Sequence, residues 1–395
     1  MNITTDLSRR SFLALGGSAL TVLAGLGLAG CSGGSSTGSG SAAAGSSPAG
    51  VTFKSKTEDR ELKGSADATK VRVGLIMGPP SMGLSQFLLA AKNNKTFNDF
   101  SFELNGVDYV GLSAKFNQGD YNICTLPSNI GPILFNNDEL KNDYQVISID
   151  NLGVLYVMTT DSSIKTLDDL KGKQVLAYGQ GGTPEYTIEA LLKKTGHAGD
   201  FNIVFKSTPF EILNLIQDQP NAIAILPQPF VALAETMVDK LYVPISITDE
   251  WNKAFKKEGS MAVTTTTIVN KKFAEEHEQA VVEYLQMAGK SVEWSLKNMK
   301  AASQLQEELG TFLNNQVSLA AMPHIEMVSL TGERMRTALS GFVKCLYDAN
   351  PDSVGGKIPG DGFYYLPPQG YLDDSNTSVS GEDVPTDGSA SGDLQ

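Results

Sequence analysis

The chain has 395 residues, of which 41% are hydrophobic and 19% charged, so it exceeds the usual size of one domain and can bury a sizeable core. Its 31 lysines and arginines stand against 44 aspartates and glutamates, and the resulting net charge of −13 argues against binding to nucleic acid. Three cysteines and three histidines supply little material for a disulfide framework or a zinc protein.

The first 30 residues combine two export signals. Paired arginines at 9–10 precede the apolar stretch 12–30 in a Ser-Arg-Arg-x-Phe-Leu pattern, which resembles the twin-arginine motif although Ala14 replaces a frequent lysine. Leu28-Ala29-Gly30-Cys31 resembles a bacterial lipobox and makes Cys31 the predicted lipidation site. We predict a cleaved signal peptide over 1–30; a retained membrane helix is the alternative, because the stretch is nearly long enough to span a bilayer.

Low-complexity segments flank the predicted folded body. Residues 31–70 begin with a run of serine, glycine, alanine, threonine and proline, and they are predicted to form a flexible tether. Residues 372–395 are acidic and rich in serine and glycine, which predicts a disordered tail. The folded part is therefore expected between residues 71 and 371.

The first part of this body alternates between strand and helix patterns. The predicted strands are 71–77, 100–104 and 121–126, and the helices are 84–92, 107–116 and one opened by Pro127-Ser128-Asn129. Gly78-Pro79-Pro80 is read as a turn. This rhythm predicts a mainly parallel sheet with helices on both faces.

The pattern restarts after a break at Asn151 and Gly153. Residues 145–149 and 155–159 are extended on either side of the break. Further strands are predicted at 174–177, 203–205, 222–226 and 242–245, with helices at 166–170, 184–194, 209–217 and 229–239. Residues 262–269 return the chain as a strand, and everything from residue 271 is read as helix, most clearly 331–347. We therefore predict lobe I from 71–151 plus 261–371, and lobe II from 152–260.

Four strand-to-helix loops share a composition that is suited to ligand binding. Residues 78–83, 127–129, 181–184 and 226–229 contain glycine, proline, hydroxyl or amide side chains and no charged residue. Such loops gather at the carboxyl ends of strands, where backbone N–H groups can approach a ligand, although glycine can equally serve only to turn the chain. The absence of charge in the loops favours a neutral or weakly charged ligand. Nearby aromatic side chains could stack on a flat ring or simply belong to the core: Tyr156, Tyr186, Phe230 and Trp251.

Other motifs give no sign of a cofactor or metal. The run Gly179-Gln180-Gly181-Gly182 lacks the third glycine of a dinucleotide fingerprint, because Pro184 occupies that position. No two histidines have metal-ligand spacing, and Cys124 and Cys345 are predicted to be buried thiols. We expect no bound cofactor.

Taken together, these segments resemble the substrate-binding lipoproteins of ABC importers, in the branch that binds nitrate, sulfonates, taurine and thiamine precursors. The resemblance spans about residues 71–366 and rests on the stretches 78–83, 152–156, 167–173, 179–186, 226–230 and 353–357. Gln228 departs from the family pattern, which often has glutamate there.

The resemblance implies the type II periplasmic-binding fold, with two α/β lobes joined by two crossing strands. It implies a monomeric binding protein without catalytic activity, anchored to the membrane by lipid, whose partners are a small-molecule ligand and the permease and ATPase subunits of an ABC transporter. The uncharged loops and the nearby aromatic side chains favour a flat, weakly polar ligand such as a heterocycle. Alternatives are a ligand-sensing receptor, or a pyrimidine-synthase-like enzyme that would need an iron site of histidine and cysteine. The implied ligand-binding residues are Ser81, Met82, Ser128, Asn129, Tyr156, Gly181, Gly182, Thr183, Gln228, Phe230 and Trp251.

Overall fold

Two β-sheets with helices on their faces make up the part of the chain that the computed structural model describes, residues 61–140 and 143–372. The predicted signal peptide, nearly all of the tether, Cys31 and almost all of the acidic tail lie outside these residues. The strands are β1 (Lys70–Leu75), β2 (Asp99–Leu104), β3 (Ile123–Pro127), β4 (Tyr144–Asn151), β5 (Leu155–Thr159), β6 (Gln174–Tyr178), β7 (Asn202–Lys206), β8 (Ile223–Pro227), β9 (Tyr242–Ser246), β10 (Thr265–Asn270) and β11 (Met327–Leu330).

The helices lie between and after these strands, and short 3-10 turns connect several of them. They are α1 (Pro79–Gly83), α2 (Ser85–Lys92), α3 (Tyr109–Asn117), α4 (Ile130–Asn136), α5 (Thr183–Thr195), α6 (Pro209–Asp218), α7 (Phe230–Met237), α8 (Ile247–Ala254), α9 (Lys271–Glu276), α10 (Glu278–Lys297), α11 (Met299–Leu309), α12 (Asn315–Ala321) and α13 (Gly332–Ala349). The predicted periodicity of α13 is confirmed, because its apolar stripe is buried: Met335, Ala338, Leu339, Phe342, Val343 and Leu346.

Each sheet is built around a different part of the chain. The first has six strands in the order β11-β4-β10-β3-β1-β2, and the second has five in the order β7-β6-β8-β5-β9. The prediction of a mainly parallel sheet is wrong. Of the nine strand pairs in the described residues, β1–β2, β1–β3, β6–β7 and β6–β8 are parallel and the other five are antiparallel. Four of the antiparallel pairs involve β5 or β10, the strands that follow the two segments joining the sheets, and the fifth is β4 with β11.

Three local predictions also differ from the structure. Gly78-Pro79-Pro80 was expected to turn, but the two prolines begin the short helix α1, because proline is compatible with the first helical positions and Gly78 supplies the left-handed backbone (φ 114°) just before it. Helix α8 was not predicted. The reading of everything after residue 271 as helix is wrong at β11, a four-residue edge strand that pairs with β4.

Two adjacent segments of the chain cross between the sheets. Residues 152–154 join β4 to β5, and residues 260–264 lead back to β10. They are bonded to each other, since the Thr264 hydroxyl donates to the Leu152 carbonyl. The C-terminal helices pack on elements that belong to or flank both sheets. Helix α11 packs on α2, α12 packs on α7, and α13 packs on α5 and on β4.

The hydrophobic core is continuous across this junction. One cluster of buried side chains runs from Leu126 and Ile149 of the first sheet to Val175 and Ile225 of the second. Both predicted free thiols are buried, Cys124 in β3 and Cys345 in α13. No helix among the described residues has the length and apolar composition needed to cross a membrane.

Candidate functional site: the seam between the sheets

The carboxyl ends of strands from both sheets face one another across a boundary that we call the seam. On one side lie the segments after β1, β2 and β3; on the other lie those after β6, β7 and β8. Parallel strands end at a common edge, so these segments collect chemically useful groups from distant parts of the sequence. The seam holds two different arrangements, a buried polar cluster and a more open groove.

The polar cluster brings together four of the residues predicted from the sequence. The Thr183 hydroxyl lies 3.1 Å from the Ser128 hydroxyl, accepts from the Asn129 N–H at 3.3 Å, and donates to Asn129 Oδ1 at 3.1 Å. Asn129 Nδ2 donates to the Gly181 carbonyl at 3.2 Å. The side chains of Ser128, Asn129 and Thr183 are almost fully buried, so these bonds are shielded from water.

The same cluster is tied to the crossing segments. The Ser128 hydroxyl donates to the Val263 carbonyl at 2.6 Å, and the Ser128 N–H donates to the Thr264 carbonyl at 3.0 Å. A small cavity of about 10 Å³ lies beside it, lined in part by Gly153, Thr183 and Thr264, and it has room for about one water molecule. The polar groups of the cluster therefore satisfy one another, and the structure is a closed arrangement of the seam.

Four further predicted residues lie together in a mainly apolar region of the seam. Met82 and Phe230 belong to one buried cluster, in which Phe312 meets the Phe230 ring edge-on at 5.8 Å. The Ser81 hydroxyl donates to the Gly78 carbonyl at 3.1 Å. Gln228 Oε1 accepts from the Ala232 N–H at 3.1 Å and so caps the start of α7. The amide at position 228 thus serves local structure in this conformation.

Gly182, Tyr156 and Trp251 occupy different positions. Gly182 directly precedes α5, and an added Cβ there would lie 3.3 Å from the Tyr109 ring. The Tyr156 hydroxyl donates to the His324 carbonyl at 3.0 Å, and burial raises the pKa of this hydroxyl to about 12. Trp251 is fully buried, 4.1 Å from the Phe255 ring and 5.0 Å from the Phe342 ring, so it joins α8 to α13.

The groove was missed by sequence reasoning. It has a volume of about 340 Å³ and is lined by residues 107–110 of the first sheet's side and by residues 178–180 and 205–208 of the second sheet's side. Two tyrosines bond across it in opposite directions: the Tyr178 hydroxyl donates to the Val107 carbonyl at 2.9 Å, and the Tyr109 hydroxyl donates to the Gln180 carbonyl. The only indication in the sequence was that these segments follow predicted strands, as the four predicted loops do.

A glutamate lies against the first crossing segment. Glu326 accepts from the Gly153 N–H through Oε2 at 3.3 Å, and its backbone carbonyl accepts from the Leu152 N–H at 3.0 Å. Burial raises the pKa of Glu326 to about 7, and the negative charge of Asp249 on α8 adds to the effect. Glu326 is therefore bonded to the first crossing segment through both its side chain and its backbone.

This architecture, two α/β lobes with facing strand ends and two crossing segments, is that of the periplasmic substrate-binding proteins of ABC transporters. Similar solved structures include an ABC transporter from Parabacteroides distasonis, with 18% identity and a TM-score of 0.62 over 75% of this chain and 99% of that one. Another is the periplasmic aliphatic sulphonate binding protein SsuA from Escherichia coli, with 13% identity and a TM-score of 0.60 over 77% and 94% of the two chains. The periplasmic nitrate-binding protein NrtA from Synechocystis PCC 6803 has 10% identity and a TM-score of 0.52 over 76% and 92%.

One family model also matches part of the chain. Residues 144–302 match the family described as NMT1/THI5 like, a segment that runs from β4 through the second sheet to α11. No curated protein sequence matches the chain. The resemblance and the fold class predicted from the sequence are thereby confirmed.

Proposed function

We propose that this protein is an extracytoplasmic solute-binding lipoprotein, which captures a small molecule at the seam between two hinged lobes and delivers it to an ABC-type permease. Lobe I is built on the six-stranded sheet and lobe II on the five-stranded sheet. The observation that carries the proposal is the polar cluster, in which loops from both sheets meet beside the two crossing segments. Each lobe supplies half of a cage, so a ligand there is buried only when the lobes close.

Opening the seam is energetically feasible. It breaks the side-chain bonds among Ser128, Asn129, Thr183 and Gly181 and the two tyrosine bonds across the groove. A hydrogen bond contributes only about 1 kcal/mol net, because water replaces the lost partner, so separation of these loops costs a few kcal/mol. A ligand that offers the same donors and acceptors can recover this free energy on closure.

A ligand screen with a shape measurement tests the proposal. We expect a bound solute to raise the melting temperature of the purified full-length protein and to change its radius of gyration in small-angle X-ray scattering, since the lobes move between open and closed forms. Thr183→Ala is expected to weaken binding of that solute about tenfold, because it removes a hydroxyl from the polar cluster. Thr195→Ala, at the other end of the same helix, is the matched control and is expected to bind as the parent does.

Two results would contradict this function. One is a screen of amines, vitamin precursors, sulfonates and small anions in which no compound shifts the melting temperature. The other is a radius of gyration that stays the same with and without a bound solute, which would describe a rigid protein rather than a hinged one.

The lipid anchor is a separate part of the proposal and rests on the sequence at 28–31. Two acyl chains on Cys31 would give the double attachment that stable membrane binding needs. We expect the parent protein to sediment with membranes after expression in a bacterial host, and Cys31→Ser to lose the mass of the lipid and move to the soluble fraction. A parent protein without lipid mass at Cys31 would remove the anchor from the proposal and leave solute binding intact.

A further inference from the structure

We propose that the groove between Tyr109 and Tyr178 binds an organic cation, with the positive charge held by Asp108 and by the aromatic rings that line the groove. This inference rests on the proposed function, because it names a ligand class for the same seam. It differs from the sequence expectation of a ligand held by uncharged loops.

The volume of the groove suits a small molecule, in contrast to the polar cluster. The groove measures about 340 Å³, whereas the cavity beside the polar cluster measures about 10 Å³. Ligand pockets in proteins typically begin at about 300 Å³. In the closed arrangement the groove is thus the part of the seam with room for a solute.

The aromatic content of the groove favours a cation. Tyr109, Tyr178 and Phe205 all line it, and each of these residues is half-buried. Aromatic faces carry negative electrostatic potential and attract ammonium groups, with about 0.5 to 2 kcal/mol per contact depending on desolvation. Both tyrosines remain neutral, since burial raises the pKa of each hydroxyl above its usual value.

The charged groups around the groove also favour a cationic ligand. Asp108 lies on the rim, accepts from the Gly111 N–H at 2.9 Å, and has no cationic side chain within 4 Å in the described part of the chain. Glu185 is close enough to Tyr109 for its charge to raise the pKa of that hydroxyl. The one lysine that lines the groove, Lys206, is paired with Glu211 at 3.3 Å. Since Lys206 is neutralised by Glu211, Asp108 and the nearby Glu185 leave a net negative charge around the groove, which disfavours a sulfonate or nitrate.

Three probes of similar size and different charge test this assignment: benzyltrimethylammonium, benzyl alcohol and benzenesulfonate. In calorimetric titrations at low salt we expect the cation to bind at least about tenfold more tightly than the alcohol, and benzenesulfonate not to bind. The affinity for the cation should fall as sodium chloride is raised, because salt screens the attraction to an exposed carboxylate.

Two variants locate the site. Asp108→Asn keeps a side chain that can cap α3 and removes the charge, so we expect the fold to persist and the affinity for benzyltrimethylammonium to drop at least about fivefold. Asp99→Asn, exposed at the opposite end of β2, is the control and should bind as the parent does. Tighter binding of benzenesulfonate than of the cation, failure of all three probes, or equal affinities of the Asp108 variant and the parent would overturn the cation assignment. None of these results would touch the proposed function, which fails only if the wider screen finds no solute or the lobes do not move.

Discussion

Gly153→Ala is expected to lower the free energy of unfolding by about 3 kcal/mol or more, because the new methyl group has no space. A Cβ atom at position 153 would lie 1.7 Å from Thr248 Oγ1 and 2.5 Å from both Thr248 Cβ and Thr248 Cγ2. Real atoms do not approach this closely, so the crossing segment or α8 must shift. Denaturant unfolding monitored by tryptophan fluorescence measures the loss.

A second substitution distinguishes this clash from a general effect of alanine. Thr248→Gly removes every Thr248 atom near the added methyl, at a cost of about 1 kcal/mol for a glycine in the helix. We expect the double variant Gly153→Ala with Thr248→Gly to be more stable than Gly153→Ala alone, a positive coupling between neighbours. Additive effects of the two substitutions would show that the close approach does not explain the glycine.

The second large effect is a dependence of stability on pH through Glu326. Its pKa is about 7 in the folded protein and near 4.5 when exposed to water, so between these pH values the folded state binds a proton that the unfolded state has released. Stability therefore falls as pH rises from about 4.5 to about 7 and levels off above, where the buried carboxylate is ionised. The difference corresponds to about 3 kcal/mol at most, since the side chain is partly exposed and water screens it.

Glu326→Gln separates this group from the other carboxylates. The amide keeps an oxygen for the Gly153 N–H and cannot ionise, so we expect the variant to be more stable than the parent at pH 8 and nearly equal to it at pH 5. Asp150, whose pKa burial also raises to about 7, is unchanged in the variant and leaves a residual slope. Glu275→Gln on the exposed surface is the control. Parallel stability curves of parent and Glu326→Gln across pH 5 to 8 would refute the assignment.

Sequence patterns predicted the features that local periodicity or strand direction determines. The apolar spacing of α13 requires only that one helix face be buried. Ser128 and Thr183 lie together as expected, because each follows a strand whose carboxyl end faces the seam. Residues whose environment depends on distant partners were harder to place. Trp251 was expected at the ligand and packs instead on Phe342, 91 positions later, and β11 exists only as a partner of β4.

The groove was missed for a different reason. Sequence reasoning singled out four strand-to-helix loops, and none of them contains Asp108 or Lys206. Their relevance depends on the approach of residues 107–110 to residues 178–180, a contact between the sheets that no spacing in the sequence encodes.

The mutual bonding of Ser128, Asn129 and Thr183 has a consequence for how affinity would be tuned. If these bonds keep the protein mostly closed in the absence of solute, only a small fraction of the molecules is open to bind it. The measured dissociation constant is then the intrinsic dissociation constant divided by that open fraction. A substitution that loosens this self-association but leaves the hydroxyl of Thr183 in place for the solute would then tighten binding.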